Sequence, residues 1–283
     1  MENDHDWLIN QALQQDIGTG DVTVKYFVSP SATATALVVA RQEGVIAGTA
    51  IALRVFEKVD SSLEVTLLID EGSRVAAGAV IMTVSGNAGS ILTAERTVLN
   101  FLQRLSGIAT QTQEYVKIVE GTGARILDTR KTTPGWRYLE KAAVVAGGGM
   151  NHRMGLYDRA MVKDNHLMAS NGWAGLQQAI QKLKAESPQL EVELEADRLE
   201  QVDAFLQMDG VDHILLDNMS IPELLEAVAM RGDKTRPWLE ASGGVTKETI
   251  HTIALTGVDF ISVGALTHSV RALDIALDFT AKS

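Results

Sequence analysis

Cysteine is absent from the 283-residue chain, which excludes disulfides, thiolate metal sites and a cysteine nucleophile. Also missing is any apolar run near the ~20 residues that cross a bilayer, so no membrane partner is expected. The opening MENDHDW is acidic and lacks the basic and apolar regions of a secretory signal. A soluble, cytoplasmic protein is the expectation. Positive charge is in short supply: 25 Lys and Arg stand against 36 Asp and Glu, a formal net charge of -11. That balance argues against nucleic acid as a partner.

Within this acidic chain, residues 125–166 gather Arg125, Arg130, Lys131, Arg137, Lys141, Arg153, Arg159 and Lys163 against Asp128, Glu140, Asp158 and Asp164. His152 and His166 add further donors. Cations concentrated on glycine-rich backbone suit a small polyanion, because Arg forks and Lys point charges meet phosphate or carboxylate oxygens. The alternative from charge alone is a solvated, salt-bridged surface.

The rest of the chain falls into two textures. Residues 6–16 have a helical period with Trp7, Leu8, Ala12 and Leu13 on one side. Asp16 and Asp21 in the following glycine loop read as turn or capping residues. Residues 33–86 read as short strands and turns punctuated at 71–72, 77–78 and 85–86. A lipoyl- or biotin-carrier barrel needs a lysine at a hairpin tip, and none lies between Lys58 and Lys117. Residues 91–106 read as an amphipathic helix striped by Leu92, Val98, Leu99, Leu102 and Leu105. Thr93 is its expected N-cap, Arg96 falls in its first turn, and Gly107 is its expected end.

From about residue 110 short apolar runs alternate with helical stretches. The runs are 124–129, 160–164, 190–196, 212–218, 237–244 and 258–265, and the last four recur about every 22–24 residues, the rhythm of βα units in a parallel barrel. No finer repeat is read in them. No GxGxxG follows the first run, which disfavours a dinucleotide fold.

In such a barrel the site lies on the loops after the strand ends. Taken in order, those ends carry Asp128, Thr129, Arg130 and Lys131; Lys163 and Asp164; Glu193 and Glu195; Asp217 and Asn218; Glu240, Ser242, Gly243 and Gly244; and Ser262, Val263 and Gly264. The last two sets have small residues whose N–H groups can approach a phosphate, each leading toward a helix N-terminus. Alternation puts Glu191, Glu193 and Glu195 on one side of their strand, where they need cations or a metal. Glu193 and Asp217, as hard oxygen ligands, suit Mg²⁺ that also bridges substrate phosphates. Glu191 has the alternative of a structural lysine partner. Asp158 and Asp164 read as orienting or capping groups.

DTRKTTPG (128–135) followed by GGGMNHRMGLYDRAMVKDNH (147–166) resembles the quinolinate phosphoribosyltransferase family, and the likeness extends from GTGDVT (18–23) to VGALTHSVRALDIALD (263–278). The resemblance implies an α/β fold: an N-terminal α/β sandwich over 1–109, an incomplete parallel α/β barrel over 110–266, and a C-terminal helix at 267–283 returning to the first domain. It implies that quinolinate and phosphoribosyl pyrophosphate react, with Mg²⁺, to nicotinate mononucleotide, pyrophosphate and CO₂, a step of de novo NAD biosynthesis. Lys131, Glu193 and Asp217 are then the catalytic candidates. Arg130, Lys131, His152, Arg153 and Lys163 would hold the two carboxylates of quinolinate, beside Thr129. Ser242, Gly243, Gly244, Ser262, Val263 and Gly264 would hold the sugar phosphate, and Glu193 and Asp217 would lie by the ribose and metal. The family forms head-to-tail dimers or larger homo-oligomers, in which Arg96 matches an arginine that reaches the neighbouring subunit's site. Whether His152 or His166 contacts the acceptor stays open. So do two rivals: a relative associated with molybdenum transport that uses another acceptor, and a non-catalytic phosphometabolite-binding barrel.

Overall fold

The computed structural model describes residues 5–163, 166 and 172–280. In chain order the elements are α1 (His5–Ile17), α2 (Val22–Phe27), β1 (Thr33–Ala40), β2 (Gly44–Val45), α3 (Thr49–Val59), β3 (Glu64–Leu67), β4 (Arg74–Val75), β5 (Val80–Asn87) and α4 (Ala88–Ile118). Then come β6 (Arg125–Leu127), α5 (Arg137–Ala146), β7 (Arg159–Val162), α6 (Gly172–Glu186), β8 (Glu191–Ala196), α7 (Leu199–Leu206) and β9 (His213–Asp217). The chain closes with α8 (Ile221–Arg231), β10 (Trp238–Ser242), α9 (Ile250–Ala254), β11 (Phe260–Ser262), α10 (Ala265–His268) and β12 (Ile275–Phe279). Two compact units result: Met1–Gln113 with Thr132–Gly148 and Ser269–Ser283, and Glu114–Lys131 with Gly149–His268. Among the described residues no helix is long and apolar enough to cross a membrane.

The first unit holds a four-stranded antiparallel sheet in the order β12-β1-β5-β3 and a two-stranded ribbon β2-β4. Three local expectations change here. The stretch 33–86 contains a helix, α3, because Ile51, Ala52, Val55 and Phe56 make one buried stripe. Its open N-terminus is closed from a distance, since Glu71 accepts from Gly48 N (2.6 Å), Thr49 N (3.0 Å) and Thr49 Oγ1 (2.6 Å). Helix α4 starts before Thr93 and continues past Gly107. Thr93 is therefore interior, donating its hydroxyl to Asp21 Oδ2 at 3.2 Å, while Asp21 caps α2 by accepting from Val24 N. Gly107 ends nothing: a Cβ there would run into the Arg271 carbonyl, so this glycine admits a passing chain. Leu92 is exposed, and the buried face of α4 runs instead through Ile91, Val98, Leu99, Leu102 and Leu105.

The expected C-terminal helix is a strand. Ile275–Phe279 pairs antiparallel with β1, from Ala40↔Ile275 to Ala36↔Phe279. The open edge of β1 decides this, since pairing there satisfies the segment's backbone groups. Arg41 fixes the register by gripping both oxygens of Asp278 at 2.6 and 2.7 Å.

The second unit is one parallel sheet in the order β6-β11-β10-β9-β8-β7, barrel-like but not closed. All six expected runs become its strands. A finer repeat than the sequence reading found, GVDHI (210–214) and GVDFI (257–261), staples the strand beginnings. Asp212 Oδ2 accepts from Val192 N (2.8 Å) and Lys184 Nζ (2.6 Å), and Asp212 N donates back to Val192 O. Asp259 repeats the device on Leu239, with Arg231 in place of the lysine. The strand ends opposite these staples carry the site.

Candidate active site

A cavity of about 230 Å³ opens among the strand ends of the second unit. It brings together Thr129, Arg130, Lys131, His152, Arg153, Lys163, Asp217, Ser242 and Ser262 from the expected set. Met161, Glu195, Leu215 and Glu240 complete its lining. Four cationic side chains on so small a cavity make it a receptor for polyanions. Lys131 is held from two sides: its N–H donates to Thr129 Oγ1 at 3.1 Å, and its carbonyl accepts from Thr267 Oγ1 at 2.9 Å.

The interior glutamates of β8 each face a cation. Arg159 sits 2.8 Å from Glu191 and 3.4 Å from Glu193, and Lys163 pairs with Glu195. Glu191 also meets His213 Nε2 at 3.2 Å, so its partners are an arginine and a histidine, not the expected lysine. Asp158 accepts from Met154 N and Gly155 N and so orients the loop behind Arg153. Arg153 reaches the Arg159 carbonyl at 3.3 Å; burial and the nearby Arg130 lower its pKa.

His152 lies at the cavity floor, and its backbone N–H donates to buried Asp128. Its Nδ1 accepts from Arg153 N at 2.7 Å, which places the ring proton on Nε2. That nitrogen faces Glu193 at 3.1 Å and Glu240 at 3.5 Å. Burial lowers the imidazole pKa, and the two carboxyl groups outweigh it. His166, by contrast, is exposed, with Nδ1 accepting from Lys163 N, and it does not line the cavity.

Glu193 has no exposed surface and does not line the cavity. Burial raises its pKa, but His152 and Arg159 outweigh that and hold it ionised. Glu240 is equally buried, and neither of its oxygens has a hydrogen-bond partner. Burial first, then the Glu193 charge, push it up to about 7, against the pull of His152. The sequence reading placed Glu240 at a strand end without giving it a role. Its signal was the alternation of Trp238, Glu240 and Ser242 on one side of β10.

The donor atoms of His152, Glu193 and Glu240 lie within 4.8 Å of one another. Mg²⁺ prefers oxygens and retained waters, whereas this cluster offers an imidazole, a carboxylate already facing Arg159, and a carboxyl that favours its proton. It does not fit Mg²⁺, and the expectation of Glu193 as a metal ligand is withdrawn on that geometry. Asp217 does fit. It lines the cavity, accepts from Asn218 Nδ2 at 2.9 Å, and can face a magnesium ion that arrives with a diphosphate.

The glycine loops are tighter than a simple helix entry. Gly243 has φ 99°, and a Cβ on it would strike the Asn218 amide, so only glycine fits. The chain then turns through 245–249 before α9 begins. Gly264 is walled by the Nε2 of His268 and the Cδ of Lys131, each 3.1 Å from where a Cβ would sit. His268 was missed in the sequence; its position four residues after Gly264 was the available signal. Gly243, Gly244, Val263 and Gly264 do not line the cavity themselves, and Val263 is buried, its N–H donating to the Leu127 carbonyl. Arg96 is exposed on α4 in the other unit, with no hydrogen bond or ion pair among the described residues.

Comparison with known proteins places this geometry. Residues 21–106 match the profile of the quinolinate phosphoribosyl transferase N-terminal domain, and residues 108–278 match that of its C-terminal domain. A nicotinate-nucleotide pyrophosphorylase (carboxylating) from Mycobacterium leprae is 44% identical over 275 residues, with 95% of each chain covered. The corresponding chloroplastic protein of Arabidopsis thaliana is 43% identical over 286 residues, covering 95% of this chain and 81% of the relative. The solved nicotinate-nucleotide pyrophosphorylase of Francisella tularensis superposes with a TM-score of 0.91 at 38% identity, covering 97% of this chain and 95% of that one. The chain belongs to the quinolinate phosphoribosyltransferase family.

Proposed function

We propose that the protein transfers the phosphoribosyl group of phosphoribosyl pyrophosphate to quinolinate, releasing pyrophosphate and CO₂ and leaving nicotinate mononucleotide for NAD biosynthesis. The observation that carries this reading is the cavity with Arg130, Lys131, Arg153 and Lys163 around one space, in a chain matching both family domains. Arg130, Arg153 and Lys163 bind the two adjacent carboxylates of the acceptor, with His152 beside them. Lys163 exchanges its Glu195 partner for substrate. Lys131 faces the departing pyrophosphate, and Asp217 offsets the positive charge that develops on the ribose as that bond breaks. Thr129 keeps Lys131 in place. The backbone at Gly243 and Gly244, the Ser242 and Ser262 hydroxyls, and the Val263–Gly264 turn take the sugar phosphate.

Mg²⁺ would supply charge neutralisation to the pyrophosphate, held through Asp217. Glu193 acts from behind the cavity by orienting His152 and Arg159. We assign the active form as a homodimer or larger homo-oligomer, in which Arg96 of the partner subunit completes each acceptor site, and we place the protein in the cytoplasm. Its acidic charge supports a small-molecule role.

The test is to incubate the pure protein with quinolinate, phosphoribosyl pyrophosphate and Mg²⁺ and to follow nicotinate mononucleotide and CO₂ together. Equal amounts of both are expected, with turnover lost in Lys131→Ala by on the order of 10²-fold or more. Pyrophosphate release without either product would identify a different acceptor. No reaction from folded protein would leave a binding protein.

A further inference from the structure

Loss of CO₂ from the ring leaves a bonding electron pair on the ring carbon that carried the carboxylate. That carbon ends as C–H, so each turnover takes up one proton there. The need for that proton rests on the decarboxylating reaction proposed above. The cations of the cavity are engaged with anionic substrates, and His152 is poorly placed to deliver. Its Nδ1 accepts from Arg153 N, and its Nε2 proton points between two carboxyl groups.

Glu240 is different. It rises from β10 into the floor of the cavity with no exposed surface, and neither oxygen has a hydrogen-bond donor. A carboxylate in that state would be a buried, unsolvated charge beside a second one, Glu193. The groups that face it are Glu193 from β8, His152 from the loop after Met150, Arg159 from β7 and Ser262 from β11. The Nε2 proton of His152 and the Arg159 guanidinium already serve Glu193, at 3.1 and 3.4 Å. Only a proton is left to neutralise Glu240.

We propose that Glu240, itself part of the cavity lining, is the acid that supplies the proton to the ring carbon after CO₂ leaves. The bond to the carboxylate breaks, CO₂ departs and the electron pair stays on the ring carbon. The O–H bond of the Glu240 carboxyl breaks and its proton goes to that carbon. Glu240 is left as a carboxylate beside Glu193, a state that recovers a proton from solvent as product leaves. Its pKa of about 7 suits this cycle, since an acid works best near the ambient pH.

The test uses Glu240→Gln, which copies the shape of the protonated acid and keeps the buried site uncharged. Single-turnover release of CO₂ and formation of nicotinate mononucleotide are followed against pH, in H₂O and in D₂O, for wild type, Glu240→Gln and Glu240→Asp. In wild type the decarboxylating step is expected to slow as pH rises above about 7 and to show a solvent isotope effect. Glu240→Gln is expected to lose about 10²–10⁴-fold in that step together with the pH limb, while quinolinate affinity stays within about threefold. Glu240→Asp should recover part of the rate. A Glu240→Gln protein that keeps the wild-type rate and pH limb would overturn the proposal, as would a wild type with no isotope effect on this step should the variant fail to fold. A wild type that forms no nicotinate mononucleotide would overturn the activity instead.

Discussion

Glu193 and Glu240 face the same imidazole, yet the fold treats them oppositely. Arg159 and His152 hold Glu193 below the usual glutamate value, while burial and the Glu193 charge push Glu240 up to about 7. The second effect has a consequence for stability. A folded-state pKa above the ordinary 4.5 means that the fold favours the acid form. The stability contribution is complete below that value, declines as pH rises through about 7, and levels off above it. Glu240→Gln cannot ionise and lacks the decline. At about pH 8 the variant should unfold at higher urea than wild type, by on the order of 1–3 kcal/mol, and the gap should close toward pH 5. A constant difference across that range would show that the fold tolerates ionised Glu240. Residue identity at the rim was largely legible in the sequence, because strand ends can be read in order and Lys131, Lys163 and Asp217 fall on them. The split between the two glutamates was not, because it depends on which of two equivalent carboxyls the cations reach.

At the scale of elements, the parallel strands are held where they begin by Asp212 and Asp259. Each carboxylate accepts the N–H of a residue 20 positions earlier and takes a cation from the helix that precedes that residue's strand, Lys184 or Arg231. Burial raises the pKa of Asp212, but Lys184, the Val192 N–H and Arg236 lower it further, so the ionised form is the one that fits. Asp212→Asn keeps the size and removes the charge, leaving Lys184 without its counter-ion. Its urea midpoint should fall by the equivalent of about 1–3 kcal/mol. Asp259→Asn should behave alike. Because both sit at strand beginnings, opposite the cavity, turnover per folded molecule should be unchanged; a loss of turnover at unchanged stability would refute the structural role. The strands were legible because continuous apolar runs with polar ends have few other readings. Helix α3, the full length of α4 and strand β12 were not. Each is decided by a distant partner: Glu71 at the start of α3, the Arg271 carbonyl against Gly107, and the edge of β1 for Ile275–Phe279.

At the scale of the whole molecule, Arg96 is a long cation left exposed on a helix whose opposite face is packed, with no partner among the described residues of its own chain. In the assembly proposed above it serves the neighbour's site, while Lys131 serves its own. Defects in the two residues should then complement each other. Arg96→Ala and Lys131→Ala proteins would each be nearly inactive alone. After unfolding and refolding together in equal amounts, half of the dimers carry one chain of each kind. In such a dimer one site is deficient in both residues and the other has its own Lys131 and a partner subunit's Arg96, both intact. Activity of about one quarter of wild type should return, from symmetry and random pairing alone. Refolding Arg96→Ala with itself sets the baseline. If the mixture gives no more than the average of its parents, Arg96 acts within its own chain or not at all, and each protomer would have to complete its acceptor site without help.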